Sequence, residues 1–240
     1  MISNMKNKYS GIGAPNSPKK KFNINFILFS LLLFGFTLNS NHVYSQTVQN
    51  IYHPSIAKKF NMAGKSIKYK TAVFINFDSE DKPDFYHFEN QISLDIYKGN
   101  KFKLEGSFKY RRYNIFDENT TNEFRPAQTI KFSKKSNDLT LDNSFKFEQR
   151  FRETYSNRWR YKFQIVGLNK TSKIFPSKLN NEFLYTFNKD KVGYENRFMI
   201  TLSDNMMNLP VSFSIQHRLK NIFSEKDLKH LIVFKTDFSF

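Results

Sequence analysis

Residues 145–163 read FKFEQRFRETYSNRWRYKF. Taken two at a time, they separate into two lists. Phe145, Phe147, Gln149 and Phe151, then Trp159, Tyr161 and Phe163, share one parity. Lys146, Glu148, Arg150 and Arg152, then Arg158, Arg160 and Lys162, share the other. Strands turn successive side chains to opposite faces, so the stretch is a β-hairpin with an aromatic side and a charged side. In a water-soluble protein the aromatic side would enter a core. In a membrane barrel it meets lipid, and the charges turn into the lumen.

The same two-sidedness runs through the chain on either side of the hairpin. Strands are expected at Ile67–Phe77, Phe85–Tyr97, from Phe102 past Tyr110, at Phe124–Phe132, then at Leu139–Arg152 and Asn157–Gly167. Ile174–Phe187, Val192–Leu202, Leu209–Arg218 and Lys229–Phe240 follow. Gly99-Asn100 suits a two-residue hairpin turn with positive φ at both positions. Pro126 requires a bulge, a strand end or a locally unpaired position. The fold class that results is all-β, an antiparallel up-and-down transmembrane β-barrel of about ten strands over residues 66–240. With an even strand count both termini lie on one side, and Phe240 sits at the periplasmic rim. The tight turn at 188–191 fits this poorly, because it then falls on the side where outer loops are usually long.

The N-terminus reads as a targeting segment. Lys6, Lys8 and Lys19-Lys20-Lys21 precede the apolar run FILFSLLLFGF at 26–36, with no acidic residue before it. That run is too short to span a bilayer, which takes about 20 apolar residues. It has the length of a signal-peptide h-region. Cleavage is expected after Ser45, giving a signal peptide over 1–45 and an N-terminal segment of uncertain structure over 46–65. Removing five positive and no negative charges from a net +17 leaves +12. With no second apolar run of helical length, a membrane location requires a closed barrel, since lipid satisfies no backbone groups.

Composition excludes several function classes. The absence of Cys removes disulfides, thiolate metal sites and a thiol nucleophile. The 28 Phe and 12 Tyr beside 38 Lys and Arg invite a nucleic-acid reading. Here the charges are distributed through period-2 segments and do not gather in one helix or tail, so no nucleic-acid partner is expected. Gly64-Lys65-Ser66 imitates the end of a phosphate loop, but Lys59 stands where that loop needs Gly.

The blocks Glu148-Gln149-Arg150-Phe151, Arg158-Trp159-Arg160-Tyr161, Asn181-Glu182-Phe183 and Glu195-Asn196-Arg197-Phe198 together carry a resemblance. They resemble a family of uncharacterised outer-membrane proteins of the Bacteroidota type, known as a domain of unknown function, DUF2490, over about residues 66–240. The resemblance implies a barrel in the outer membrane of a Gram-negative bacterium and brings no activity or catalytic residues. Phe238 and Phe240, on an alternating terminal strand, resemble the signal by which such barrels are recognised for insertion. The partners implied are outer-membrane lipid and the insertion machinery.

The candidate site is the charged parity: Glu148, Arg150, Arg152, Arg158, Arg160, Glu182, Glu195, Arg197 and Arg218. One reading is an ion-pair ladder that fills the lumen and fixes register, because a buried charge needs a partner. The other is a path or pocket for small anionic solutes, for which the planar fork of Arg is suited. Arg150, Arg160, Glu182 and Arg197 are expected to form one connected network. His217 and His230 fall on the apolar parity, away from Glu182 and Glu195, so no catalytic constellation forms. No metal-ligand spacing and no cofactor motif occurs, and the expected role is structural or a narrow pore. A soluble exported β-barrel or sandwich binding lipids or polyanions is the competing class. A lipid-modifying outer-membrane enzyme is the third.

Overall fold

The computed structural model describes residues 48–77, 84–115, 120–168, 176–189, 191–203, 211–223 and 228–240. The expected signal peptide over 1–45 lies outside them. Eleven strands form one closed barrel: β1 Val48–Met62, β2 Lys65–Asn76, β3 Asp84–Lys98, β4 Phe102–Tyr113, β5 Thr121–Ser136, β6 Leu139–Arg150, β7 Ser156–Val166, β8 Lys178–Phe187, β9 Val192–Ser203, β10 Val211–Lys220 and β11 Lys229–Ser239. Each pairs antiparallel with its sequence neighbour, and β1 closes the ring against β11 in parallel. The all-β barrel of the sequence reading is therefore present. The eleventh strand is β1, drawn from the segment left unassigned at 46–65.

An odd count changes the closure. In a meander of eleven strands the first and last run in the same direction, so Val48 faces His230 while Ala57 faces Ser239. The termini of the barrel accordingly lie at opposite ends, which corrects the expectation of a shared side. The Phe240 end carries the connections 63–64, 99–101, 137–138, 167–177 and 204–210. The other end carries 77–83, 114–120, 151–155, 188–191 and 221–228. The three tightest connections thus fall at the Phe240 end.

Local chemistry explains the turns. Ala63 and Gly64 take φ of 49° and 72° and form the two-residue turn of the β1–β2 hairpin, so the phosphate-loop mimic is the end of that turn and the start of β2. The Gly99-Asn100 expectation is corrected. The connection runs through 99–101, neither residue has positive φ, and the Gly99 amide donates to the Phe102 carbonyl at 3.0 Å. Pro126 sits inside β5 where the β5–β6 ladder lapses, between the Ala127–Glu148 pair and the Phe124–Phe151 bridge. Pro54 occupies the equivalent gap in β1–β2, between Tyr52–Ile75 and Ser55–Ala72. In both places the missing amide proton has no ladder bond to break.

Register and burial assign the two faces. Aromatic and aliphatic side chains point outward and stay exposed, as Phe145, Trp159, Ile92 and Phe234 do. Cross-strand aromatic pairs line this surface: Phe145–Tyr161 at 4.9 Å and Phe147–Trp159 at 4.7 Å between ring centroids, each directly opposite in register. Outward Asn side chains are tied to Tyr hydroxyls. Tyr69 donates to Asn90 at 2.7 Å, Tyr110 to Asn122 at 2.7 Å and Tyr161 to Asn143 at 2.8 Å. Charges occupy the interior, joined by an apolar patch where β1, β2 and β11 meet. There Ile51, Phe74, Leu231 and Val233 form a buried apolar cluster. Burying side chains of this size stabilises by about 1.5–3 kcal/mol each.

Candidate functional site

All eleven strands contribute side chains to one cavity of about 690 Å³ inside the barrel. Its wall carries thirteen Lys or Arg residues and three Glu. Strand parity places them, since Glu148, Arg150, Arg158, Arg160, Glu182, Glu195, Arg197 and Arg218 all occupy inward positions. Arg152 lies just beyond β6, exposed to solvent while still lining the cavity.

Two ion-pair systems stand on the wall. In the first, Arg160 bridges Glu148 at 2.8 Å and Glu182 at 3.3 Å. Lys146 adds a contact to Glu148 at 3.5 Å. Arg197 bridges Glu182 at 3.5 Å and Glu195 at 2.7 Å. Glu182 and Arg197 are direct cross-strand partners, whereas Arg160 faces Lys146 and Leu184 and reaches its carboxylates diagonally. Diagonal neighbours lie within reach of long side chains on one face of a sheet.

The second system was not anticipated. Glu123, fully buried, pairs with Arg125 and accepts from Arg150 Nε at 2.7 Å and from the Tyr113 hydroxyl at 2.8 Å. Tyr113 in turn accepts from Arg111 and Arg125, both at 3.1 Å. Arg111 and Lys109 share Glu89, the latter at 2.6 Å. Arg150 therefore belongs to this system; among the described residues no ion pair joins it to Glu182, and it stands apart from the Arg160–Glu182–Arg197 network. Cross-strand register is the reason. Arg150 stands opposite Ser156, and on its β5 side it falls between the Ala127–Glu148 pair and the Phe124–Phe151 bridge, so the carboxylate that it meets is Glu123. The parity rule reaches Glu89, Arg111, Glu123 and Arg125 equally well. Applied to β3, β4 and β5, it would have found them.

Some cations stay outside both systems. Arg158 donates from Nε to the Thr186 hydroxyl at 2.8 Å, and Arg218 donates to Gln216 Oε1 at 2.7 Å. Lys235 contacts Met199 Sδ at 3.6 Å. Among the described residues none of these three has a carboxylate within ion-pair distance.

At the β1–β3 wall, His53 and His87 sandwich the Phe74 ring, with centroids at 3.9 and 3.8 Å. The guanidiniums of Arg111 and Arg218 lie 5.5 and 6.0 Å from the centre of that ring. Both imidazoles are buried, and none of their four nitrogens has a hydrogen-bond partner among the described residues. His217 and His230 are elsewhere, on the outer face, hydrogen-bonded to each other at 3.1 Å. Phe238 is also on the outer face, opposite Val211. Phe240 anchors the end of the chain by backbone bonds to Ala57 and Lys59.

Residues 64–228 match the profile of a family described as a protein of unknown function, DUF2490. No curated protein and no solved structure matches the chain.

Proposed function

The chain belongs to the DUF2490 family, and from its geometry we propose that it spans the outer membrane as a barrel and acts there as a narrow, anion-preferring passage. One observation carries the reading: the outer face is aromatic and aliphatic around the barrel, while the charges are turned inward, where the acids are ion-paired. A soluble barrel would invert that arrangement, because exposed aromatics cost free energy in water and interior charges cost more. Strands of 10 to 16 residues are long enough to cross the hydrocarbon layer at the usual tilt. The excess of cations on the cavity wall supplies the preference for anions. Phe238 and Phe240 are the insertion signal in this reading, and the barrel is not an enzyme.

Cell fractionation and planar-bilayer recording test the two parts separately. The protein should enter the outer-membrane fraction and migrate differently on gels when unheated. In bilayers it should give small steps with a reversal potential favouring chloride over potassium. Recovery as a detergent-free soluble monomer would refute the membrane location. Silent bilayers with a correctly inserted barrel would leave a scaffold in place of a pore.

A further inference from the structure

We propose that the lumen contains a binding site for a small multivalent phosphate-type anion, centred on Arg218 and Lys235. The inference deepens the reading of the lumen as the functional surface and does not depend on where the barrel resides.

Charge balance is the starting point. Thirteen cationic side chains line the cavity against three carboxylates, and with Glu123, Glu148 and Asp237, which pair with lining cations, the acids that these thirteen contact number six. Arg218 stands directly opposite Arg197 in the β9–β10 ladder, a like-charge pairing that is unfavourable unless something lies between. Arg197 is already occupied by Glu182 and Glu195, so Arg218 keeps the side-chain amide of Gln216 as its hydrogen-bond partner. Lys235 is placed similarly. Its electrostatic neighbours are Arg218, Arg197 and Lys70, with Asp237 and Glu182 the acids in range. Asp237 is bound by Lys70 at 2.7 Å and by Ser55, and Glu182 by Arg160 and Arg197. Cations confined together in this way are costly without a counter-ion.

The surroundings specify what the counter-ion is. His53, cross-strand partner of Lys235, is 5 % exposed and lines the cavity with both ring nitrogens unpartnered. His87, at 3 %, does the same on the other side of Phe74. A buried polar group without a partner is rare in native structures, and a neutral imidazole has one N–H to donate to an anionic oxygen. The guanidinium fork of Arg218, the ammonium of Lys235 and imidazole donors on an apolar floor suit a tetrahedral oxyanion with several charged oxygens. The cavity volume falls within the range of small-molecule sites, which limits the ligand to a compact one. Such a phosphate could be free in solution or borne by a lipid headgroup.

The test is isothermal titration of the full mature barrel in zwitterionic detergent with sodium tripolyphosphate, with orthophosphate as the weaker comparison. Saturable one-to-one binding is expected, at least tenfold tighter for tripolyphosphate, and weakened at least tenfold by Arg218→Gln and by Lys235→Gln. Competition by micelles doped with phosphatidic acid identifies the source. Displacement at similar concentration assigns the phosphate to a lipid headgroup, and no displacement assigns it to a soluble anion. Non-saturating uptake, or affinity unchanged in both variants, would overturn the site. Each variant removes a cation without a carboxylate partner, so the heat-modifiable gel shift should persist. Loss of that shift in both would overturn the proposal too, since the cations would then be structural. Conductance plays no part in this readout, so a silent bilayer leaves the titration result standing.

Discussion

Glu123 receives Arg125, Arg150 and the Tyr113 hydroxyl together, in a site closed to solvent. Its removal leaves two guanidiniums without a carboxylate. Glu123→Ala should therefore cost about 3–5 kcal/mol, as breaking a buried ion pair does. Glu182 is bound less closely, at 3.3 and 3.5 Å, and its partners Arg160 and Arg197 retain Glu148 and Glu195. Glu182→Ala should cost less, about 1–3 kcal/mol. Lys189→Ala, in an exposed turn, should shift stability by about 0.5 kcal/mol or less. Urea unfolding in detergent gives the ranking. Equal shifts for the three would contradict the assignment of these acids to the barrel interior. The charged parity of the β6–β7 hairpin was legible in the sequence. Which Arg met which Glu was not, because diagonal contacts depend on the register between strands.

The hairpins are set by a few backbone positions. Gly167, just past the end of β7, has φ of 94°, and a Cβ there would collide with the Asp138 carbonyl oxygen. The obstacle is backbone, so no rotamer change relieves it. Gly64 also has positive φ, but a Cβ would meet open space. Gly64→Ala should cost about 1–2 kcal/mol, the usual penalty of a left-handed residue with a side chain. Gly167→Ala should cost distinctly more and broaden the unfolding transition around β6–β7. Thermal melts of the two variants make the comparison. On the outer face, a double-mutant cycle on Phe147 and Trp159 should return about 0.5–1.5 kcal/mol of coupling beyond burial. A value near zero would mean lipid replaces the partner ring without loss. The alternation of β6 to β10 was plain in the sequence because aromatic and charged residues contrast so strongly. β1 lacked that contrast. Its inward residues Ile51, His53, Ser55 and Ala57 include no Lys, Arg, Asp or Glu, and Pro54 interrupts it.

At the scale of the whole barrel, β1 is the strand that closes the ring. It pairs with β11 over ten residues in parallel and with β2 in antiparallel. A chain beginning at Lys65 would leave both edges open, and unpaired edges cannot be satisfied in lipid. Such a chain should lose the heat-modifiable form and aggregate in detergent, whereas one beginning at Gln46 should retain it. A stable monomeric barrel from the shorter chain would show that ten strands suffice. What the sequence determined by itself was the two-sided strand, and through it an all-β barrel with aromatics outside and charges inside, because side-chain period is a local property of an extended backbone. Closure, strand count and the opposite placement of the termini were decided by the tertiary structure. So were the two separate ion-pair systems and the His53–Phe74–His87 stack, which bring together β1, β2 and β3. These depend on which strands become neighbours and in what register, and no segment carries that information alone.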